Sequence, residues 1–147
     1  MKGSRRASRE LALKGLYQWL VNRSDADTVL AHIAGEETYG RADRAYLEEL
    51  VRNVVSDADV LRDRLGPYLD RPIGQLSPIE HALLLIAASE LSGQPDTPYA
   101  VIINEAVELA KMYGGTDGHK YVNGVLDKLA PELRALETQA RGKKGTR

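Results

Sequence analysis

Residues 77–91, Ser-Pro-Ile-Glu-His-Ala-Leu-Leu-Leu-Ile-Ala-Ala-Ser-Glu-Leu, decide the fold of this chain. Ser77 suits a helix N-cap, Pro78 suits the first helical position, and Glu80 completes a capping box by reaching back to the cap. Nearly every later position of the segment is apolar. A helix that is apolar on all sides is normally buried inside a protein. The segment therefore predicts a central helix against which the other elements pack.

Helical spacing of apolar residues continues on both sides of this segment. It predicts helices over residues 5–22, 27–36, 42–55, 57–65, 97–113 and 117–129, with a weakly amphipathic segment at 132–140. No stretch alternates apolar and polar residues with the period of a strand. We therefore expect an all-α fold of about seven helices, packed as two small antiparallel bundles.

Length and composition fit one domain. The chain has 147 residues, of which 43% are apolar, and this is enough to build a core. The absence of cysteine excludes disulfides, thiolate chemistry and cysteine-ligated zinc. No apolar run approaches the roughly 18 residues that a membrane span needs, and charged residues interrupt the segment after the basic start, unlike in a secretory signal. We expect a cytoplasmic protein without a membrane partner.

Charge is distributed unevenly along the chain. Residues 1–23 carry six Lys and Arg and one acid, residues 141–147 carry four and none, and the part between them has a net charge of −10. Basic ends on an acidic body suggest nucleic-acid contact through the ends and a second surface for a basic partner. For residues 141–147, which have no apolar side chain, we favour a disordered, solvated tail.

The basic start leads directly into the first predicted helix. On that helix Lys2, Arg5, Arg6 and Arg9 fall within an arc of about 100°, in line with leucines further along. We predict that the helix overhangs the core and presents these side chains as a basic arm to a polyanion. Tyr17 lies at the edge of the same stripe, where its ring could stay reachable. The alternative is a solvated run beside a boundary core tyrosine.

A second candidate cluster stands at the start of the last predicted helix. Tyr121 falls at the edge of its buried face, on the same side as Asp117, while Lys120 points outward. Aromatic rings stack on single-stranded bases, basic groups hold phosphates, and carboxylates can accept hydrogen bonds from base amino groups. The alternative is that Tyr121, like Tyr17, is a boundary core residue with a hydrated hydroxyl.

Motifs for catalysis are missing from the sequence. It has no glycine-rich phosphate loop, paired-histidine zinc motif or nucleophile elbow. The histidines, His32, His81 and His119, fall on different predicted elements and none has ligand spacing. We therefore expect no enzymatic activity, no cofactor and no metal site.

Three blocks of sequence carry a family resemblance. Residues 5–19, 98–111 and 119–128 resemble, in order and spacing, the NusB family of bacterial transcription antitermination factors, and the likeness covers roughly residues 5–132. The resemblance implies an all-helical protein that binds the single-stranded boxA element of ribosomal RNA transcripts together with ribosomal protein NusE. It further implies assembly with the RNA polymerase elongation complex and other Nus factors. Some members self-associate, so a homodimer is also open.

The resemblance also assigns roles to single residues. It implies that the RNA-binding residues are Lys2, Arg5, Arg6, Arg9, Tyr17, Asp117, Lys120 and Tyr121, with Glu80 near a joint surface for RNA and NusE. We accordingly divide the chain into residues 1–140, one helical RNA-binding domain with a basic N-terminal arm, and residues 141–147, a basic disordered tail. The competing hypothesis is a helical protein-interaction adaptor without specific RNA recognition.

Overall fold

Six α-helices make up most of the computed structural model, which describes residues 3–139. They are α1 (Arg5–Asn22), α2 (Ala26–Ile33), α3 (Arg44–Leu65), α4 (Pro78–Gly93), α5 (Tyr99–Tyr113) and α6 (Gly118–Leu133). Short 3₁₀ turns stand between them at Glu37–Arg41, Gly66–Tyr68 and Ile73–Gln75, and a further helical turn covers residues 135–139. Within residues 3–139 the only β pairing is an isolated bridge between Ser4 and Ala42. The all-α prediction of about seven helices is confirmed.

Helix α4 is the central element, as its sequence predicts. Every side chain from position 82 to position 91 is buried, and α4 packs against α1, α3, α5 and α6. The Ser77 hydroxyl accepts a hydrogen bond from the Glu80 backbone N–H at 3.2 Å and donates one to the Glu80 carboxylate at 3.0 Å. Helices α1 to α3 form one bundle and α4 to α6 the other, with α4 shared between them.

Helices α3 and α6 differ most from the sequence-based expectation. Helix α3 is continuous where the sequence predicts two helices, because its buried stripe runs unbroken through Val54, Ala58 and Leu61. The expected break lies near Asp57, but this residue is exposed and neither Gly nor Pro interrupts the helix. Helix α6 continues through Pro131 to Leu133. A proline this close to a helix C-terminus removes one N–H and leaves a carbonyl that water can reach.

Part of the predicted basic charge lies outside the described residues. This applies to Lys2 and to the predicted tail, residues 141–147. Between residues 3 and 139, none of the helices combines the length and the apolar character that spanning a membrane requires.

Candidate nucleic-acid interface

The start of α1 is bonded to the start of α3. The Ser4 N–H donates to the Arg41 carbonyl at 2.7 Å, and the Asp43 N–H donates to the Ser4 carbonyl at 3.2 Å. The Ser8 hydroxyl adds a bond of 2.7 Å to the Asp43 carbonyl. Helix α1 therefore does not overhang the core from residue 4 onward, and this part of the prediction is wrong. The arm is fixed against the body of the protein.

Arg9 is buried rather than presented to solvent. It is 4% exposed, and its Nε and Nη2 donate to both carboxylate oxygens of Glu90 at 2.8–3.0 Å. Tyr46 donates its hydroxyl to the same carboxylate. Burial acts to lower the pKa of Arg9, but the bonds and the charge of Glu90 outweigh it, and the pKa is raised. The prediction that Arg9 faces RNA is therefore wrong, because its guanidinium is committed to a buried ion pair.

A sequence signal for this burial exists. Leu13 and Leu16 follow Arg9 by four and seven positions and are 1% and 0% exposed, so all three share the buried face of α1. Glu90 is an acid within the apolar helix α4 and is 1% exposed. A carboxylate in that position needs a cationic partner.

Arg5 and Arg6 remain at the surface. The guanidinium of Arg5 lies 4.3 Å from the centroid of the Tyr46 ring. Arg6, whose side chain is 71% exposed, makes a two-bond pair with Glu105 at 3.0 and 3.1 Å. The hydrogen bond and charge of Glu105 raise the pKa of Arg6. The structure therefore keeps two oriented cations at the start of α1.

Tyr17 lines a shallow groove between α1, α2, α4 and α5. The groove has a volume of about 240 Å³, and its other walls include Ile79 and Tyr113. Tyr17 is half-buried, so part of its side chain stays reachable from the groove. The hydroxyl of Tyr113 donates to Glu10, and this bond raises the pKa of Tyr113 to about 12. Part of the Tyr17 side chain is thus within reach of a ligand in the groove.

The second predicted cluster assembles where α6 begins. Lys120 lies 3.5 Å from Asp117, and both side chains are about three-quarters exposed. Glu80, in the first turn of α4, lies against Gly118, where an added Cβ would stand 3.2 Å from the Glu80 Oε1. Tyr121 is half-buried, and its hydroxyl accepts the Asp70 N–H at 3.3 Å. Gly118 thus allows the start of α6 to approach Glu80 closely.

The sequence analysis missed one cation of this cluster. The guanidinium of Arg71 lies 5.2 Å from the centroid of the Tyr121 ring and pairs with the Asp70 carboxylate at 2.7 and 3.0 Å. Arg71 stands in the irregular connection between α3 and α4. Such a segment has no periodicity that could show which helix it contacts.

Side-chain contacts and shared cavity walls connect these groups into one strip across the surface. Arg6 and Glu10 line a cavity of about 400 Å³, and Tyr113 connects this cavity to the Tyr17 groove. The strip, called the arm-to-α6 strip below, runs in the order Arg6, Glu105, Glu10, Tyr113, Tyr17, Ile79, Glu80, Gly118, Tyr121 and Arg71. Within residues 3–139 no three His, Asp or Glu side chains are grouped to hold a metal ion. The strip carries arginines and tyrosines, with carboxylates between them.

Comparison with solved structures defines the class of protein. The chain is similar to the NusB of T. maritima, with a TM-score of 0.82 and 33% identity over 90% of this chain and 94% of that one. It also shares the fold of NusB in a crystal structure of the antitermination factors NusB and NusE in complex with dsRNA. There the TM-score is 0.80 and the identity 22%, covering 87% of this chain and 96% of that one. The fold is thus that of an all-helical antitermination factor.

Comparison with known sequences indicates the same class of protein as comparison with solved structures does. The NusB family model matches residues 6–131. Transcription antitermination protein NusB of Paraburkholderia phymatum is 55% identical over 144 residues, which cover 98% of this chain and 99% of that protein. The protein of the same name from Burkholderia cenocepacia strain HI2424 is 56% identical over 140 residues, covering 95% and 97%. The chain belongs to the NusB family, whose members are transcription antitermination factors and not enzymes.

Proposed function

We propose that this protein binds the boxA element of ribosomal RNA transcripts as a single strand, together with ribosomal protein NusE. In the complex it helps RNA polymerase, with other Nus factors, to read through termination signals. The observation that carries this proposal is the arm-to-α6 strip, which places cations at both ends and reachable tyrosines between them. Since nascent transcripts are its RNA, the protein acts in the cytoplasm.

Ionic contacts and base stacking each contribute to RNA binding along the strip. Arg5 and Arg6 contact phosphates at one end, and Lys120 and Arg71 do so at the other. Such contacts supply affinity that depends on salt but not on sequence. Lys2, which precedes the described residues, remains a predicted contact of the same kind. Arg9 contributes only by holding α1 in place through Glu90.

Base recognition falls to the middle of the strip. The rings of Tyr17 and Tyr121 are half-buried, so each has a fixed orientation and an edge or face within reach of a base. Stacking on such rings tolerates any base. The carboxylates of Asp117 and Glu80 accept hydrogen bonds from base amino groups, and this adds preference for sequence.

The acidic body suits NusE as a basic protein partner. Glu10, Glu105 and Glu108 line the cavity of about 400 Å³ beside Arg6. A partner there would stand next to the RNA, so that two weak contacts with one RNA combine through effective concentration. A homodimer through this face would occupy the same surface. Residues 1–140 form the RNA-binding domain in this proposal, and residues 141–147 form a separate basic segment that lies outside the described residues.

A fluorescence-anisotropy titration tests the proposal. Single-stranded boxA RNA, a scrambled strand and a boxA duplex are titrated at two salt concentrations, with and without NusE. We expect selective binding to single-stranded boxA that tightens when NusE is present. Equal and strongly salt-dependent binding to all three RNAs would leave a helical adaptor with basic ends instead.

Variants at Tyr17 test whether this residue belongs to the RNA interface or to the core. Tyr17→Asp places a charge in the groove and should abolish boxA binding while the far-ultraviolet circular dichroism stays helical. Tyr17→Phe keeps the ring and should retain binding. If Tyr17→Asp unfolds the protein, Tyr17 belongs to the core and the proposed stacking is wrong.

A further inference from the structure

A second arginine-lined cavity lies beside the Tyr17 groove and is not part of the arm-to-α6 strip. It has a volume of about 540 Å³, and Trp19, Arg23, Arg62 and His81 stand in its walls. Its other walls are formed by Leu20, Gly74, Leu76 and Pro78. These eight described residues include two arginines and no carboxylate. The cavity therefore combines positive charge with an aromatic face.

Arg62 is oriented toward this cavity by two rings. Its Nε donates to the His81 Nε2 at 3.2 Å, and its guanidinium carbon lies 5.7 Å from the centroid of the Trp19 ring. Burial and the nearby charge of Arg62 lower the pKa of His81 to about 4, so the imidazole is neutral and can accept this bond at neutral pH. Asp59 also pairs with Arg62 at 3.2 Å, but its side chain is 98% exposed and the pair is readily exchanged.

Arg23 approaches the same cavity from an unusual backbone conformation. It caps α1 with φ 56° and ψ 37°, and its N–H donates to the Trp19 carbonyl at 2.7 Å. Among the residues that the structure describes, it is the only one other than glycine with a positive φ. Glycine or asparagine adopts this helix-end conformation more easily. A side chain as large as arginine at this position is consistent with a binding role.

The two cavities are neighbours along both helices that separate them. On α1, Gln18 lines the Tyr17 groove and the next residue, Trp19, lines the arginine-lined cavity. On α4, Ile79 lines the groove and the preceding residue, Pro78, lines the cavity. On α1 the exposed Gln18 therefore separates the two cavities, with Tyr17 on one side of it and Trp19 on the other.

We infer that the arginine-lined cavity is an extension of the RNA-binding surface, which holds a further nucleotide of the same single strand. Its base stacks on the Trp19 ring or on the guanidinium plane of Arg62, and its phosphate pairs with Arg62 and Arg23. The chemistry required is that of a single-stranded polyanion with aromatic bases. This inference rests on the proposed function, because the strand must first occupy the Tyr17 groove.

The test compares a boxA RNA of minimal length with two longer RNAs, one extended by several uridines at its 5′ end and one at its 3′ end. The full chain should bind one extended RNA about tenfold more tightly than the minimal RNA, as expected for one stacked base and its phosphate. The double variant Arg23→Gln/Arg62→Gln should lose this gain yet bind the minimal RNA as before. Its salt slope on the extended RNA should fall by about 0.7, since Arg23 and Arg62 hold one phosphate and each neutralised phosphate on a single strand contributes about 0.7.

Arg64→Gln is the matched control. Arg64 is exposed on the same helix, about 200° around it from Arg62, and its replacement by Gln removes one positive charge, as Arg62→Gln does. This variant should keep the gain from the extension. If neither extension tightens binding to the full chain, or if Arg64→Gln removes the gain as fully as the double variant, the inference is overturned. Failure of the minimal RNA itself to bind would instead refute the proposed function.

Discussion

Replacing only Arg9 in its buried pair with Glu90 should destabilise the protein more than replacing both partners by apolar residues. The side chains of Arg9 and Glu90 are 5% and 1% exposed, and three hydrogen bonds of 2.8–3.0 Å join them. Arg9→Met leaves the Glu90 carboxylate buried with Tyr46 as its remaining close partner. An uncompensated buried charge costs about 3–5 kcal/mol.

The same argument predicts that apolar replacement recovers stability. In the triple variant Arg9→Met/Tyr46→Phe/Glu90→Leu no charge or hydroxyl is left without a partner. Exchange of a buried ion pair for apolar side chains of similar volume is often neutral or stabilising. The triple variant should therefore be more stable than Arg9→Met alone, although it carries two more substitutions.

Urea unfolding followed by circular dichroism measures this difference. At about 2–4 °C per kcal/mol for a chain of this size, Arg9→Met should also lower the melting temperature by roughly 10 °C. Arg6→Met is the control, since Arg6 is 71% exposed and its pair with Glu105 is screened by water, so its midpoint should barely move. A triple variant no more stable than Arg9→Met would refute the reasoning.

Three further predictions concern the charged surface. Replacing Arg5 and Arg6 by Gln should weaken boxA binding and lower the salt slope by about 0.7 for each lost phosphate contact, measured by anisotropy at several salt concentrations. Glu105→Gln removes an anion that competes with phosphate for Arg6, so boxA affinity should rise a few-fold; unchanged affinity would show that this pair does not limit binding. The pKa of His81 in the folded state is about 4, below the ordinary value of 6.5. Between these two values the unfolded chain binds a proton that the folded chain does not. The free energy of unfolding should therefore fall as the pH drops from about 6.5 to 4. In the His81→Gln variant, the free energy of unfolding measured with urea should fall by about 1 kcal/mol less over this pH range than in the unmutated protein. This figure allows for solvent screening of the half-buried ring.

The local sequence pattern was sufficient to predict burial and boundaries where these depend on the residues of a single helix. Helix α4 is apolar on all sides, so its burial followed from its sequence, and Ser77 with Glu80 marked its start. Pattern was misleading at Asp57, where polar residues resemble a break although the apolar stripe of α3 continues past them. A helix boundary depends on packing against neighbours as well as on local propensity.

The candidate site depends on pairs of residues that are far apart in the sequence. Arg9 belongs by charge to the basic start, but its partner Glu90 is 81 residues away and only the folded chain brings them together. Arg71 likewise reaches Tyr121 across 50 positions from a segment without periodicity. The sequence therefore predicted the elements that carry the site better than it predicted which cations remain accessible on them.

The pairing of Arg9 with Glu90 also sets the order of events during synthesis. Helix α1 is made first, but its buried face is completed only when α4 follows, 81 residues later. At 5–20 residues per second a ribosome needs about 4–16 s to cover that distance. For this interval Arg9 has no carboxylate partner, and Leu11 and Leu16, both 0% exposed in the finished protein, have no helix α4 to cover them. Residues 1–23, with a net charge of +5, are then a basic, partly apolar segment that nascent-chain-binding factors can reach, and folding of this end waits for α4.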